Sequence, residues 1–294
     1  MSTMTTKPEK KPVHGESIRF HASDGRALVG TYFAPTGTLE RGLVLAGAMG
    51  VKQGFYAKFA HALSQRGIAV LTFDVRGIGA SREGSVKREA ASLSTWGELD
   101  YEAALQALQA RVGDAPIAWL GHSVGGQLFG LLKAPKVDKL LLVASQFGYS
   151  GHWDGVGRVR MKALWRLIPI MVALTGRLPK QLLGGGEDIP PRAGVEWAAW
   201  GRHPEYILSY AKQHPERNFH TFKGKVRGVE LTDDDYAPER AVNAIVNAYA
   251  QASREVLRVH PSDVGATQIG HFGAFTSRFE NTLWKQFGDW LLEA

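Results

Sequence analysis

The stretch APIAWLGHSVGGQLFGLL, residues 115–132, carries the reading of the whole chain. Ala115 to Gly121 is a short apolar run of the kind a strand buried on both faces requires, and Val124 to Leu132 is compatible with a helix. Between them Gly121, Ser123 and Gly125 form G-x-S-x-G. A hydroxyl placed on a tight strand-to-helix turn needs small residues two positions away on both sides, because the backbone is strained and the flanking chains approach closely. Gly121 and Gly125 meet that need. The turn projects the Ser123 hydroxyl out of the sheet and sets the Val124 N–H at a helix N-terminus, where it is able to stabilise an oxyanion.

Outward from this stretch the same pattern repeats. GLVLAG (42–47), IAVLTFD (68–74) and KLLLVAS (139–145) are apolar runs, and Gly54 to Gln65 and Leu93 to Arg111 between them have helical periodicity. Alternation of this kind predicts an α/β fold with a mostly parallel sheet and helices on both faces. Ahead of it, Ser17 to Phe20 and Ala27 to Phe33 read as two strands joined by a turn at Asp24-Gly25. From about Phe147 to Lys225 the alternation gives way to four tryptophans, a basic apolar run RVRMKALWRLIPIMVAL (158–174) and the glycine-rich LLGGGEDIPP (182–191). Pro169 is expected to interrupt any long amphipathic helix there. The pattern resumes with KVRGVEL (225–231), a helix over Pro238 to Ser253, the strand EVLRVH (255–260) and a last helix over Ser277 to Leu292. The expected organisation is a flexible tail (1–16), a core in two parts (17–146 and 226–294) and a helical lid inserted between them (147–225).

Composition narrows the function classes. The 294 residues include no cysteine, which excludes a disulfide scaffold, a thiolate metal site and a cysteine nucleophile, and fits a reducing, cytoplasmic compartment. The polar, basic start has no apolar segment of a secretory signal, and no apolar run approaches the ~20 residues of a bilayer span. Of the net charge of +7, most belongs to the insertion, with 12 Lys+Arg against 6 Asp+Glu in residues 147–225. Such an excess is either a solvated helical face or an attraction for an anionic substrate or membrane surface. No nucleic-acid motif accompanies it, and no spacing of ligands suggests a metal or another cofactor.

A serine becomes a nucleophile only when a base takes its proton and a third group orients that base. TDDDYAPERAV places Asp233, Asp234 and Asp235 at the carboxyl end of a strand, before a helix opened by Pro238. Active groups of open α/β sheets gather at such ends, although an aspartate there also serves as a helix cap. Among ten histidines, His271 lies between glycines in Ile269 to Gly273, a setting that allows close approach to the serine. His260, at the end of EVLRVH, is the alternative, whereas His122 is excluded by its adjacency to Ser123.

With these residues in view the chain resembles an α/β-hydrolase, of the lid-bearing serine hydrolase kind that includes esterases, monoglyceride-lipase-like and serine-aminopeptidase-like members. Besides GHSVGG, the segment Asp74-Val-Arg76-Gly77-Ile-Gly79-Ala-Ser81 is similar to the family's D-x-R-G-x-G-x-S. The AMG loop, TDDDYAP and IGHFGAF resemble a bacterial group of predicted hydrolases. In the family the acid lies four residues before a proline, which selects Asp234, with Leu231 where a glycine is usual. His-Gly of many relatives is replaced by Ala46-Gly-Ala-Met-Gly50, so the second oxyanion donor is the amide of Ala48 or of Met49. The resemblance implies hydrolysis of an ester, thioester or lactone by Ser123, His271 and Asp234, with Val124 as the first oxyanion donor.

The insertion is expected to set the substrate. Trp153, Trp165, Trp197 and Trp200, with Met161, Leu164, Leu167 and Ile168, are candidates to line an acyl pocket rimmed by Arg158, Arg160 and Lys162, suited to a medium-chain acyl group with an anionic or polar partner. An acyltransferase using the same triad, an amidase or aminopeptidase, and a non-catalytic ligand-binding protein are the alternatives. A homodimer and contact with a membrane surface stay open.

Overall fold

The computed structural model describes residues 15–133 and 136–293. The tail expected over residues 1–16 therefore lies outside the described residues except at its end, where Glu16 already opens the first strand. The strands are β1 (Glu16–His21), β2 (Ala27–Phe33), β3 (Arg41–Ala46), β4 (Ile68–Asp74), β5 (Ile117–His122), β6 (Lys139–Val143), β7 (Lys225–Leu231) and β8 (Ser253–Val259). They form one sheet in the order β1-β2-β4-β3-β5-β6-β7-β8. The β1–β2 and β2–β4 pairs are antiparallel and the rest are parallel.

Every residue of β3, β4, β5 and β6 is buried, which explains why these strands read as continuous apolar runs. Successive residues feed opposite faces. Val44 and Trp119 join the core on one side, while Leu43, Leu45, Ala118 and Leu120 join the core on the other. The second face is covered by α1 (Ala57–Ser64) and the C-terminal helix; the first is covered by two further helices, α2 (Leu93–Thr95) and α3 (Tyr101–Val112), and by α4 (Val124–Gln127). Lys139, buried in β6, donates from Nζ to the carbonyls of Trp290 at 2.8 Å and of Glu293. It thus ties the end of the last helix to the sheet.

Between β6 and β7 the chain is helical: α5 (Gly155–Thr175), α6 (Pro191–Arg202), α7 (Leu208–Ala211) and α8 (Asn218–Thr221). Contrary to expectation, Pro169 does not interrupt α5, which runs through it. A proline inside a helix removes one N–H and leaves the carbonyl four residues earlier without its partner. Here that carbonyl belongs to Trp165, and Arg202 of α6 donates to it from Nη1 at 2.8 Å. The neighbouring helix thus supplies the hydrogen bond that the chain's own backbone cannot. Among the described residues no helix is long and apolar enough to cross a membrane.

After β7 come α9 (Glu239–Asn247), α10 (Gly270–Gly273) and α11 (Lys285–Leu292). The helix expected to reach Ser253 ends at Asn247, because Ser253 pairs with Lys225 and opens β8. His260 lies just past β8 rather than in it. The helix expected over Leu93 to Arg111 is three pieces, with a wide π turn at Trp96–Asp100 between α2 and α3. On this turn Asp100 accepts from the backbone N–H and Nε of Arg76 at 2.8 and 2.7 Å.

Candidate active site

The strand order brings the site together. β5 lies between β3 and β6, so the loop after β3 and the turn after β5 emerge side by side at the carboxyl edge, where the order of strands reverses. The turns after β7 and β8 open on the same edge.

Ser123 sits between β5 and α4 with φ 54° and ψ −120°, a region that side-chain-bearing residues rarely occupy. The two glycines of the motif are required by space. A Cβ on Gly121 would fall 2.2 Å from the Cα of Gly126, and one on Gly125 would fall 2.1 Å from the Ala46 carbonyl oxygen. Ser145 braces the turn, its one hydroxyl proton shared between the carbonyls of Gly121 at 3.1 Å and Ser123 at 2.9 Å.

His271 is held at three points. Its ring Nδ1 donates to Asp234 Oδ2 at 2.7 Å, which leaves Nε2 as the basic nitrogen. Asp233 Oδ2 accepts from the N–H groups of Ile269 and Gly270 at 2.7 and 3.0 Å, fixing the chain that leads into the histidine. The His271 carbonyl accepts from His122 Nε2 at 2.8 Å. Of the three adjacent aspartates, then, Asp234 meets the ring and Asp233 its backbone, while the carbonyl of Asp235 accepts from Trp153 Nε1 at 2.9 Å. The segment around His271, expected as a loop, is the short helix α10. His260 points elsewhere, with Nδ1 3.1 Å from Thr232 Oγ1.

His122 has a further part. A carbonyl only accepts, so His122 Nε2 carries the proton and Nδ1 is left to accept from the Tyr56 hydroxyl at 2.8 Å. The same hydroxyl accepts from the Ala48 N–H at 2.8 Å. The pKa of His122 is held well below 6.5 by burial and by the neighbouring His271, so the ring is neutral. The expectation left Ala48 and Met49 open as the second oxyanion donor. The Ala48 N–H is hydrogen-bonded to Tyr56, whereas the amides of Met49 and Val124 have no partner among the described residues.

Ser123 and His271 open into one cavity with about 610 Å³ of empty space, part of it shared with solvent. No hydrogen bond joins their side chains. Met49, Met161, Leu164, Trp165 and Trp197 supply much of the apolar wall, with Gln127 and Gln146 as polar members. Two of the four tryptophans expected there thus line it. Trp153 instead borders a neighbouring groove beyond Tyr236, and Trp200 is buried against Tyr206 and Tyr210. Leu167 is half-exposed and Ile168 is buried in the helix packing, and neither reaches the cavity. Of the cations expected at the rim, Arg160 borders the neighbouring groove, while Arg158 donates to the Trp153 carbonyl at 3.0 Å and Lys162 is exposed. Tyr56, Gln127, Gln146 and the separate part of Asp233 were not singled out by the sequence. Only Asp233 had a signal, its place in the aspartate run.

A model of the family described as serine aminopeptidase, S33, matches residues 40–212. A "Putative monoglyceride lipase" of Schizosaccharomyces pombe is 40% identical over 77 residues, a match that covers 25% of this chain and 19% of that relative's length. Among solved structures, a soluble variant of monoglyceride lipase from Saccharomyces cerevisiae in complex with a substrate analog aligns with a TM-score of 0.62 at 14% identity, covering 98% of each chain. An esterase from Pyrococcus furiosus aligns at 0.62 and 14%, covering 95% of this chain and 90% of that one. At such identities these structures share the fold.

Proposed function

The chain belongs to the α/β-hydrolase family described as serine aminopeptidase, S33, and from that premise we propose that it is a carboxylic ester hydrolase working through Ser123, His271 and Asp234. What supports the reading is that a serine on a strained strand-to-helix turn and a histidine oriented by a carboxylate at 2.7 Å open into the same largely apolar cavity.

In this reading the Ser123 hydroxyl turns toward His271 Nε2 as its oxygen attacks the ester carbonyl, and the proton passes to the ring. Asp234 stabilises the imidazolium that forms and keeps the ring in the correct tautomer. The oxyanion is held by the amides of Met49 and Val124, each worth ~3 kcal/mol when well placed. The imidazolium returns its proton to the leaving alcohol, and His271 then activates the water that releases the acid. Thioesters and lactones follow the same course. An acyltransferase differs only in the second acceptor.

For an aminopeptidase a free amino terminus would need a carboxylate nearby, and among the described residues lining the cavity there is none. Labelling with a fluorophosphonate probe, beside a p-nitrophenyl ester series of rising chain length, tests the proposal. Wild type is expected to be labelled and to turn over the esters, and Ser123→Ala to lose the label and about 10⁴-fold or more of kcat. A folded wild type that neither labels nor hydrolyses any ester overturns it.

A further inference from the structure

Within the cavity wall a chain of hydrogen bonds runs Trp197, Tyr206, Gln127, Gln146. Trp197 Nε1 has a proton to give and no lone pair to offer, and it donates to Tyr206 Oη at 2.8 Å. Having accepted there, the hydroxyl gives its own proton to Gln127 Oε1 at 2.7 Å. That fixes the Gln127 amide, whose Nε2 donates to Gln146 Oε1 at 3.1 Å. In this arrangement every donor in the series meets an acceptor, with the indole, which can only donate, at its head. Gln146 is left with its amide nitrogen at the open end, without a partner among the described residues, and the residue lines the cavity that holds Ser123. The chain is built rather than incidental. Gln127, Tyr206 and Gln146 are all buried, and Tyr206 holds a φ of 47°, a left-handed conformation that a side-chain-bearing residue adopts only under constraint from its surroundings.

A fixed donor in a largely apolar wall has a consequence for the ligand. A plain alkyl chain lying against it removes water from the N–H₂ and offers nothing in return, whereas an oxygen on the chain completes the series. We propose that Gln146 is a specificity residue donating a hydrogen bond to an oxygen borne by the substrate's apolar chain, so that the site selects oxo-, hydroxy- or ether-bearing acyl esters over plain alkyl ones. The inference rests on the reading of this cavity as the acyl site. It names a substrate class by the acceptor atom the wall demands.

The test is binding to the Ser123→Ala chain, which requires no turnover. Calorimetry compares methyl octanoate with the series of methyl oxooctanoates that carry one keto group at each successive chain carbon, and with the corresponding hydroxy esters. At least one keto ester is expected to bind about tenfold more tightly than methyl octanoate, the worth of one well-made hydrogen bond. That gain is expected to vanish in Ser123→Ala/Gln146→Leu. Ser123→Ala/Gln146→Met keeps the length of the side chain but presents no donor, so it is expected to lose the gain as well. No keto ester tighter than methyl octanoate, or a gain that persists in both Gln146 variants, overturns the inference. Failure of the hydrolase reading shows instead as absent fluorophosphonate labelling of wild type, and the binding comparison decides the role of Gln146 regardless.

Discussion

Asp233 and Asp234 are neighbours in sequence and hold different parts of one histidine. Side chains of successive residues leave an irregular turn in different directions, so one carboxylate meets the His271 ring and the other the N–H groups of Ile269 and Gly270. Asp234→Asn is expected to lower kcat about 10⁴-fold with little change in fold, because the amide favours the wrong ring tautomer. Asp233→Ala acts through position. It removes two charge-assisted hydrogen bonds, and a loss of ~2 kcal/mol in stability is expected, with kcat about tenfold lower and KM nearly unchanged. Asp233→Asn keeps an acceptor oxygen and should recover most of kcat; equal loss in Asn and Ala would mean that the charge, not the anchor, matters. The residues in this group were legible to different degrees. Ser123, His271 and an aspartate follow from the order of motifs along the chain, while the sharing of labour between Asp233 and Asp234 depends on the path of a turn, which no local pattern encodes.

Helix α5 illustrates how one element depends on another. Its sequence contains a proline, and local propensity alone breaks it near Pro169. The guanidinium of Arg202, brought across from α6, accounts for its continuity by satisfying the Trp165 carbonyl. Arg202→Leu is expected to cost ~1–3 kcal/mol by leaving that carbonyl buried and unpaired. In a Pro169→Ala background the backbone N–H returns and the same substitution should cost clearly less. A double-mutant cycle from chemical denaturation measures this coupling, and strict additivity would refute it. Since Trp165 and Trp197 of this helix pair line the cavity, the same cycle is expected to alter KM for longer esters more than for acetate.

Across the whole molecule, His122 and Tyr56 join three separate segments: the loop after β3 through Ala48, the Ser123 turn through His122 itself, and the His271 segment through its carbonyl. A neutral buried histidine is the junction, and this makes stability depend on pH with a definite sign. The unfolded chain takes up a proton at this position below about pH 6.5, while the folded chain, its His122 pKa well below 6.5, does not. The stabilisation is therefore complete above that pH and lost as pH falls, by ~1.4 kcal/mol per unit until the folded pKa is reached. His122→Gln keeps one donor and one acceptor without titrating. It is expected to be less stable than wild type at about pH 8 but to decline less steeply below about pH 6.5, as read from denaturation midpoints. Parallel declines in the two proteins would exclude His122 as the titrating group.

Sheet and fold class could be read from the chain alone, since strands buried on both faces are continuously apolar and the helices between them are amphipathic. The turn at Ser123 was legible too, from the glycines two positions to either side of the serine. Tertiary structure alone decided what these residues meet. The Ala48 amide was engaged by a tyrosine eight residues on, Trp200 was drawn into the packing rather than the cavity, and the two glutamines were aligned by an indole far along the chain. Periodicity records which face of an element is buried. A hydrogen bond between distant segments depends on where the fold brings two atoms, and that position is a property of the assembled molecule.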